Sequence, residues 1–140
     1  MSTDAHAAPE TGRLGWVIVY VSSVEQALAF YERAFGLARK FIDETGNFGE
    51  LDTGATTLAF LSEQIAGSSL EGGFQRGTPD APPCNIELCL VFDDVAAAYE
   101  HAVSAGCAPL KAPALKPWGQ TVAYVRDPFG TLVEVASPVG

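Results

Sequence analysis

Long apolar runs, paired cysteines and basic charge are what this 140-residue chain has little of, and each scarcity removes a class of protein. No run of about eighteen apolar residues is present, so no membrane-crossing helix is expected. The first dozen residues lack the basic, apolar and small-residue succession of a secretory signal. They read as a flexible leader over 1–12, and a cytoplasmic protein is the default expectation. Cys84, Cys89 and Cys107 are odd in number and contain no CxxC pair, which points to reduced, mostly buried thiols rather than a disulfide framework. Eight basic residues face 17 acidic ones, for a net charge of -9. Nucleic acid and anionic membranes are therefore not expected as partners, while a cationic ligand would be attracted. Histidine is scarce too. His6 falls in the leader and His101 in a helical stretch, both badly placed to complete a metal-ligand set. No nucleophile with an adjacent histidine and no phosphate-cradling glycine motif is visible.

What the chain does have is an internal repeat. Residues Trp16 to Val24 and Glu87 to Val95 share one plan of apolar strand, polar capping pair and valine opening a helix. Val24, Ala27 and Tyr31 echo Val95, Ala98 and Tyr99, and the two helical runs close on Gly36 and Gly106. The strands ending each half also correspond, 56–62 with 131–137. Two copies of one supersecondary unit, each covering apolar surface that the other cannot bury alone, explain this pattern.

Each half reads as strand, helix, then three strands. In the first, strands are expected near 14–21, 38–43, 48–52 and 57–61, with a helix over about 24–35 whose capping box is Ser22 and Glu25. The second repeats the order, with strands near 84–92, 107–111, 120–126 and 132–136 and a helix over about 95–105 capped by Asp93 or Asp94. Asp127-Pro128-Phe129-Gly130 is a turn between the last two strands. One domain over 13–140 is expected, with module one at 13–63, an irregular Gly/Pro-rich connecting loop at 64–83 and module two at 84–138.

Strand alternation assigns the faces, since residues i, i+2 and i+4 point the same way. Ile86, Leu88, Leu90, Phe92, Val133 and Val135 take the helix-packed core. The opposite face carries Glu87, Cys89, Val91, Leu132, Glu134 and Ala136, mostly apolar yet holding two carboxylates. Either this is an open solvated face, or it is the concave wall of a ligand pocket. By the repeat, Trp16, Ile18 and Tyr20, with Thr57, Ala59 and Leu61, lie on the equivalent face of the first half. Trp16 then corresponds to Glu87 and Ala59 to Glu134.

Three segments in order carry a family resemblance: Ala29-Phe30-Tyr31-Glu32-Arg33-Ala34-Phe35-Gly36-Leu37, Asp93-Asp94-Val95 with Ala105-Gly106, and Asp127-Pro128-Phe129-Gly130-Thr131-Leu132-Val133-Glu134. From Leu14 to Pro138 the chain resembles the vicinal oxygen chelate superfamily, which includes glyoxalases, bleomycin resistance proteins and extradiol dioxygenases. The resemblance implies an α+β fold of two βαβββ modules forming a cupped, barrel-like mixed sheet with helices outside, commonly completed in a homodimer. It also implies metal ligands, His or Glu, at the positions of Trp16, Ala59, Glu87 and Glu134. Trp16 and Ala59 depart from that pattern, so no metal is expected; Glu87 and Glu134 are the fallback ligands for Zn, Fe, Mn or Ni if one is used. On that count the chain is more similar to metal-free members that sequester antibiotics.

The leading expectation is accordingly a small-molecule binding protein for a cationic or aromatic antibiotic-like ligand. Trp16 and Tyr20 would supply aromatic walls and Glu87 and Glu134 hydrogen-bond acceptors. Trp118 would stand at the rim, although it fits a hydrophobic cover or a dimer contact equally well. Tyr124, matching a pocket tyrosine of fosfomycin-type relatives, would add a hydroxyl, with Gln120 sharing its face. The alternative is an enzyme: a lyase, isomerase or dioxygenase with a metal, or a metal-free acid/base catalyst using the two carboxylates.

Overall fold

A computed structural model describes residues 10–139. His6 and most of the expected leader lie outside that range. Module one contains β1 (Trp16–Val21), α1 (Val24–Phe35), β2 (Ala38–Ile42), β3 (Phe48–Asp52) and β4 (Thr57–Ser62). A short helix, α2 (Glu63–Ser69), follows. Module two contains β5 (Glu87–Val91), α3 (Val95–Ala105), β6 (Ala108–Leu115), β7 (Thr121–Arg126) and β8 (Leu132–Ala136). The strands form two four-stranded mixed sheets of matching order, β1-β4-β3-β2 and β5-β8-β7-β6. In each, the first strand pairs in parallel with the last and the others run antiparallel. The α+β repeat is thus present as expected, and neither sheet closes on itself into a barrel.

The helices form where the apolar spacing and the caps agree. Along α1, Val24, Ala27, Leu28, Tyr31, Ala34 and Phe35 make one buried stripe, and Gly36 ends the helix at a φ of 69° that other residues adopt at a cost. Ser23, not Ser22, is its N-cap, accepting from the Gln26 amide. The expected capping box was therefore set one residue too early. α3 is capped by Asp94, which accepts from the Ala97 amide. α1 and α3 pack on one another and on their own sheets. Both modules feed one core, in which Tyr31, Phe60, Val125, Val133 and Val135 are fully buried.

Several local expectations need correction. The connection is not wholly irregular: Ser62 caps α2 by accepting from Ile65. The fifth strand begins at Glu87 rather than Cys84, so Ile86 precedes the ladder and is exposed instead of entering the core. Cys84 and Cys89 are exposed and only Cys107 is buried, against the expectation of mostly buried thiols. His101 is a surface helix residue as expected, its Nε2 lying 2.7 Å from the Arg33 carbonyl.

Candidate functional site

The ladder register fixes which side chains share the second face of each sheet. In module two, Cys89 stands beside Glu134 and Glu134 beside Tyr124, so these three form one row across β5, β8 and β7. Glu87, Leu132 and Arg126 form the neighbouring row. In module one, the corresponding row is Ile18, Ala59 and Glu50, with Trp16 beside Thr57. The alternation drawn from the sequence therefore holds on both sheets.

Glu134 is the centre of the polar group on the second sheet. Tyr124 donates its hydroxyl to Glu134 Oε1 at 3.2 Å, and the Cys89 thiol donates to Oε2 at 3.3 Å. Glu87 also shares a hydrogen bond with Glu134, which pushes its carboxyl up to about 7, with burial adding to the effect. The same bond holds Glu134 below the usual glutamate range, helped by Cys89, Tyr124 and the nearby charge of Lys116. The two carboxyls therefore titrate as a pair, in which the proximity of one charge disfavours ionisation of the second. Desolvation, reinforced by Glu134, pushes the Cys89 thiol up to about 11, so it is a protonated donor at neutral pH. Tyr124 is raised for the same two reasons.

Trp16 belongs to a different group. Its indole N–H donates to Glu50 Oε2 at 2.9 Å, and Lys40 lies 3.7 Å from Oε1 of the same carboxylate. Glu50 is 7% exposed whereas Trp16 is 55% exposed, so the buried acid fixes an indole whose ring faces outward. Glu50 escaped the sequence reading. Its parity with Phe48 and its place opposite Ala59 make it the repeat-equivalent of Tyr124, a signal available once the repeat is carried into the third strand.

The other expected site residues are placed elsewhere. Trp118 donates its indole N–H to Gln120 at 2.8 Å, and Gln120 donates to the Ser137 carbonyl, which locks both into the β6–β7 turn. Tyr20 packs edge-to-face on Phe74 of the connecting segment at 5.0 Å. No hydrogen bond or ion pair among the described residues joins Trp16, Trp118 or Tyr20 to the Glu87–Glu134 pair. Within one chain, direct interactions link Glu87, Tyr124 and Glu134, while Trp16, Trp118 and Tyr20 are held by other partners.

The family model described as the Glyoxalase/Bleomycin resistance protein/Dioxygenase superfamily matches residues 13–135. The chain belongs to this superfamily. Solved relatives have the same fold at low identity. A glyoxalase-related enzyme from Fulvimarina pelagi has a TM-score of 0.77 at 21% identity, with 93% of this chain and 94% of that one covered. A glyoxalase/bleomycin resistance protein/dioxygenase family enzyme from Burkholderia phytofirmans PsJN has a TM-score of 0.74 at 20% identity, covering 90% and 98%. TioX from Micromonospora sp. ML1 has a TM-score of 0.66 at 19% identity, covering 90% and 98%. No curated protein matches the sequence significantly.

Metal chemistry within the superfamily requires a donor set, and two of the four positions that the resemblance marks as ligands supply none. The Trp16 nitrogen is a donor only, and Ala59 has no ligating atom. Glu50 is engaged by Trp16 and Lys40. Of those four positions Glu87 and Glu134 remain, with Cys89 beside Glu134, where a tight site takes three or four protein ligands. Among the described residues, no three His, Cys, Asp or Glu side chains are grouped to hold an ion, and no helix is long and apolar enough to cross a membrane.

Proposed function

We propose that this superfamily member is a small-molecule binding protein whose ligand joins a flat apolar body to an amine or other cation, as many antibiotic-like compounds do. The observation that carries the reading is the Glu134 carboxylate on a mostly apolar sheet face, with Tyr124 and Cys89 donating to it and a second carboxyl, Glu87, coupled to it. A ligand ammonium would meet the pair with a charge-assisted hydrogen bond. The Trp16 face, held by Glu50, offers a stacking wall. Trp16 and the acidic pair sit on separate sheets, and both sheet faces are open with exposed apolar residues. A homodimer that brings two such faces together is therefore part of the proposal.

A second reading rests on the same carboxylates. Glu87 as an acid near pH 7 beside an ionised Glu134 is a proton donor and acceptor pair, suited to a lyase or isomerase without metal. A dioxygenase needs a redox centre that this donor set does not provide.

The test is a binding titration of an aromatic amine, its neutral amide and its carboxylate, with amide chemical shifts mapping each site. The amine should shift residues around Glu134. Trp16→Ala and Glu134→Gln should each cost on the order of 1–3 kcal/mol of its affinity. Indifference of the amine to both substitutions would reject the binding reading. Proton exchange of an amine or carbonyl substrate that is abolished by Glu87→Gln would favour the catalytic one.

A further inference from the structure

Between the two modules lies a cleft of about 320 Å³ whose lining includes none of Glu87, Cys89, Tyr124 and Glu134. It opens between β1 and the start of β5, which are edge strands of their sheets, and the connecting segment roofs it. Ile18, Tyr20, Phe74, Ile86, Leu88 and Phe129 give it apolar walls. The Tyr20–Phe74 edge-to-face contact ties the roof to β1.

Its polar component is cationic. Arg126 lines the cleft and is 8% exposed. Its guanidinium donates to the carbonyls of Gly130, Thr78 and Pro79. These are neutral acceptors, and among the described residues Arg126 has no carboxylate within ion-pair distance. A buried cation satisfied only by carbonyl dipoles retains its full charge where the dielectric is low, and an entering anion gains from it. Three of its five N–H donors bond to these carbonyls, and the other two have no hydrogen-bond partner among the described residues. A second guanidinium, Arg76, lines the cleft from a more exposed position, paired with Glu63 at 3.3 Å. No acidic side chain lines this space, although the chain as a whole carries a charge of -9. The charged side chains of the lining are thus cationic, opposite in sign to the protein as a whole, although Arg126 shares a ladder row with Glu87.

We propose that the inter-module cleft is a second binding site, which takes a small carboxylic acid with an apolar aryl or short alkyl body. The carboxylate pairs with Arg126 and the body lies along Tyr20, Phe74 and Phe129. A cavity of this size suits a compact ligand of that kind. The site does not depend on the amine-binding reading, because the charges that select the two ligands are opposite and the residues are distinct.

Phenylbutyrate, phenylbutylamine and phenylbutanamide titrated into the isotope-labelled full chain separate the possibilities. Phenylbutyrate should give saturable amide shifts at Phe74, Gly77, Gly130 and Thr131. Phenylbutylamine should leave those signals unmoved, whatever it does at Glu134. Arg126→Gln should weaken phenylbutyrate at least tenfold. Because that substitution also removes bonds to the connecting segment, Ile86→Glu provides the second variant: it adds an opposing charge at an exposed cleft position and leaves the Arg126 bonds intact. Loss of phenylbutyrate binding in Ile86→Glu with an unchanged circular dichroism spectrum supports the site. Equal shifts from the amine at these residues, absence of saturation at millimolar phenylbutyrate, or unchanged affinity in both variants would overturn it.

Discussion

Tyr31 donates its hydroxyl to Asp127 across 2.6 Å, joining the first helix of module one to the last turn of module two over a sequence separation of 96 residues. Both side chains are buried, at 0% and 2% exposure. Asp127 also accepts from the amides of Phe129 and Thr131, so one carboxylate organises the β7–β8 turn and receives the other module's helix. This bond makes the two repeats interdependent in a way that sheet pairing does not, since no ladder connects the two sheets.

Tyr31→Phe should therefore destabilise the fold by about 1–3 kcal/mol, the cost of leaving a buried acceptor short of a donor. The loss has a pH signature. Burial, then the Asp127 charge, raises the Tyr31 pKa well above 10.0 in the folded protein. The folded state keeps a proton that the unfolded chain releases, so this stabilisation is complete below that value and declines as pH rises toward the folded pKa. Urea unfolding of the two proteins should show a gap at neutral pH that narrows above about pH 10. A gap that is constant or widens would mean the hydroxyl contributes by packing alone.

Glu87 titrates in the neutral range because of Glu134. In Glu134→Gln the Glu87 carboxyl should fall back toward 4.5, which carboxyl-carbon chemical shifts would follow directly. Since the folded pKa is raised, the proton stabilises the fold fully below about 4.5 and less as pH rises through about 7. Ligand binding runs the other way. Ionisation of Glu87 adds a second negative charge, so cation affinity should rise several-fold from pH 6 to pH 8, by roughly 1 kcal/mol for a contact at water-like dielectric. Glu87→Gln should flatten that profile.

Periodicity made the fold legible, and topology hid much of the site. The Glu87–Val91 and Leu132–Ala136 alternation set the face on which Glu87, Cys89 and Glu134 lie, because ladder pairing preserves parity. The Tyr124–Glu134 pairing also follows from the hairpin turn at 127–130. Alternation carries no information about how two sheets sit relative to each other. For that reason the partners of Trp16, Tyr20 and Trp118, which are Glu50, Phe74 and Gln120, were not legible from the strand pattern. Arg126 was passed over because an arginine before a turn reads as surface charge; its burial comes from the connecting segment folding back over it.

Self-association should be measurable. Ile18, on the first sheet with Trp16, and Val91, on the second, are 45% and 58% exposed, apolar surface that a second copy would cover. Light scattering at micromolar concentration should give twice the chain mass. Val91→Lys should shift the protein toward monomer with its secondary structure intact. Monomer alone in the unsubstituted protein would reject the dimer.

Gly130 and Gly54 offer a controlled comparison of how firmly the connecting segment is held. Both have positive φ, 98° and 90°, so alanine at either position pays a left-handed backbone penalty of about 1–2 kcal/mol. A Cβ at Gly54 meets nothing within 4 Å, whereas at Gly130 it would stand 2.6 Å from the Thr78 nitrogen and 2.9 Å from its carbonyl carbon. Backbone cannot rotate aside as a side chain can, so residue 78 must move, and its carbonyl is an Arg126 acceptor. Gly130→Ala should thus cost on the order of 1–3 kcal/mol more than Gly54→Ala, read as a lower urea midpoint with an unchanged slope. The extra loss should be accompanied by amide shifts at Gly77 and Thr78 that Gly54→Ala does not produce. Equal losses in the two variants would mean that the connecting segment yields freely and that Arg126 and Gly130 do not hold it in place.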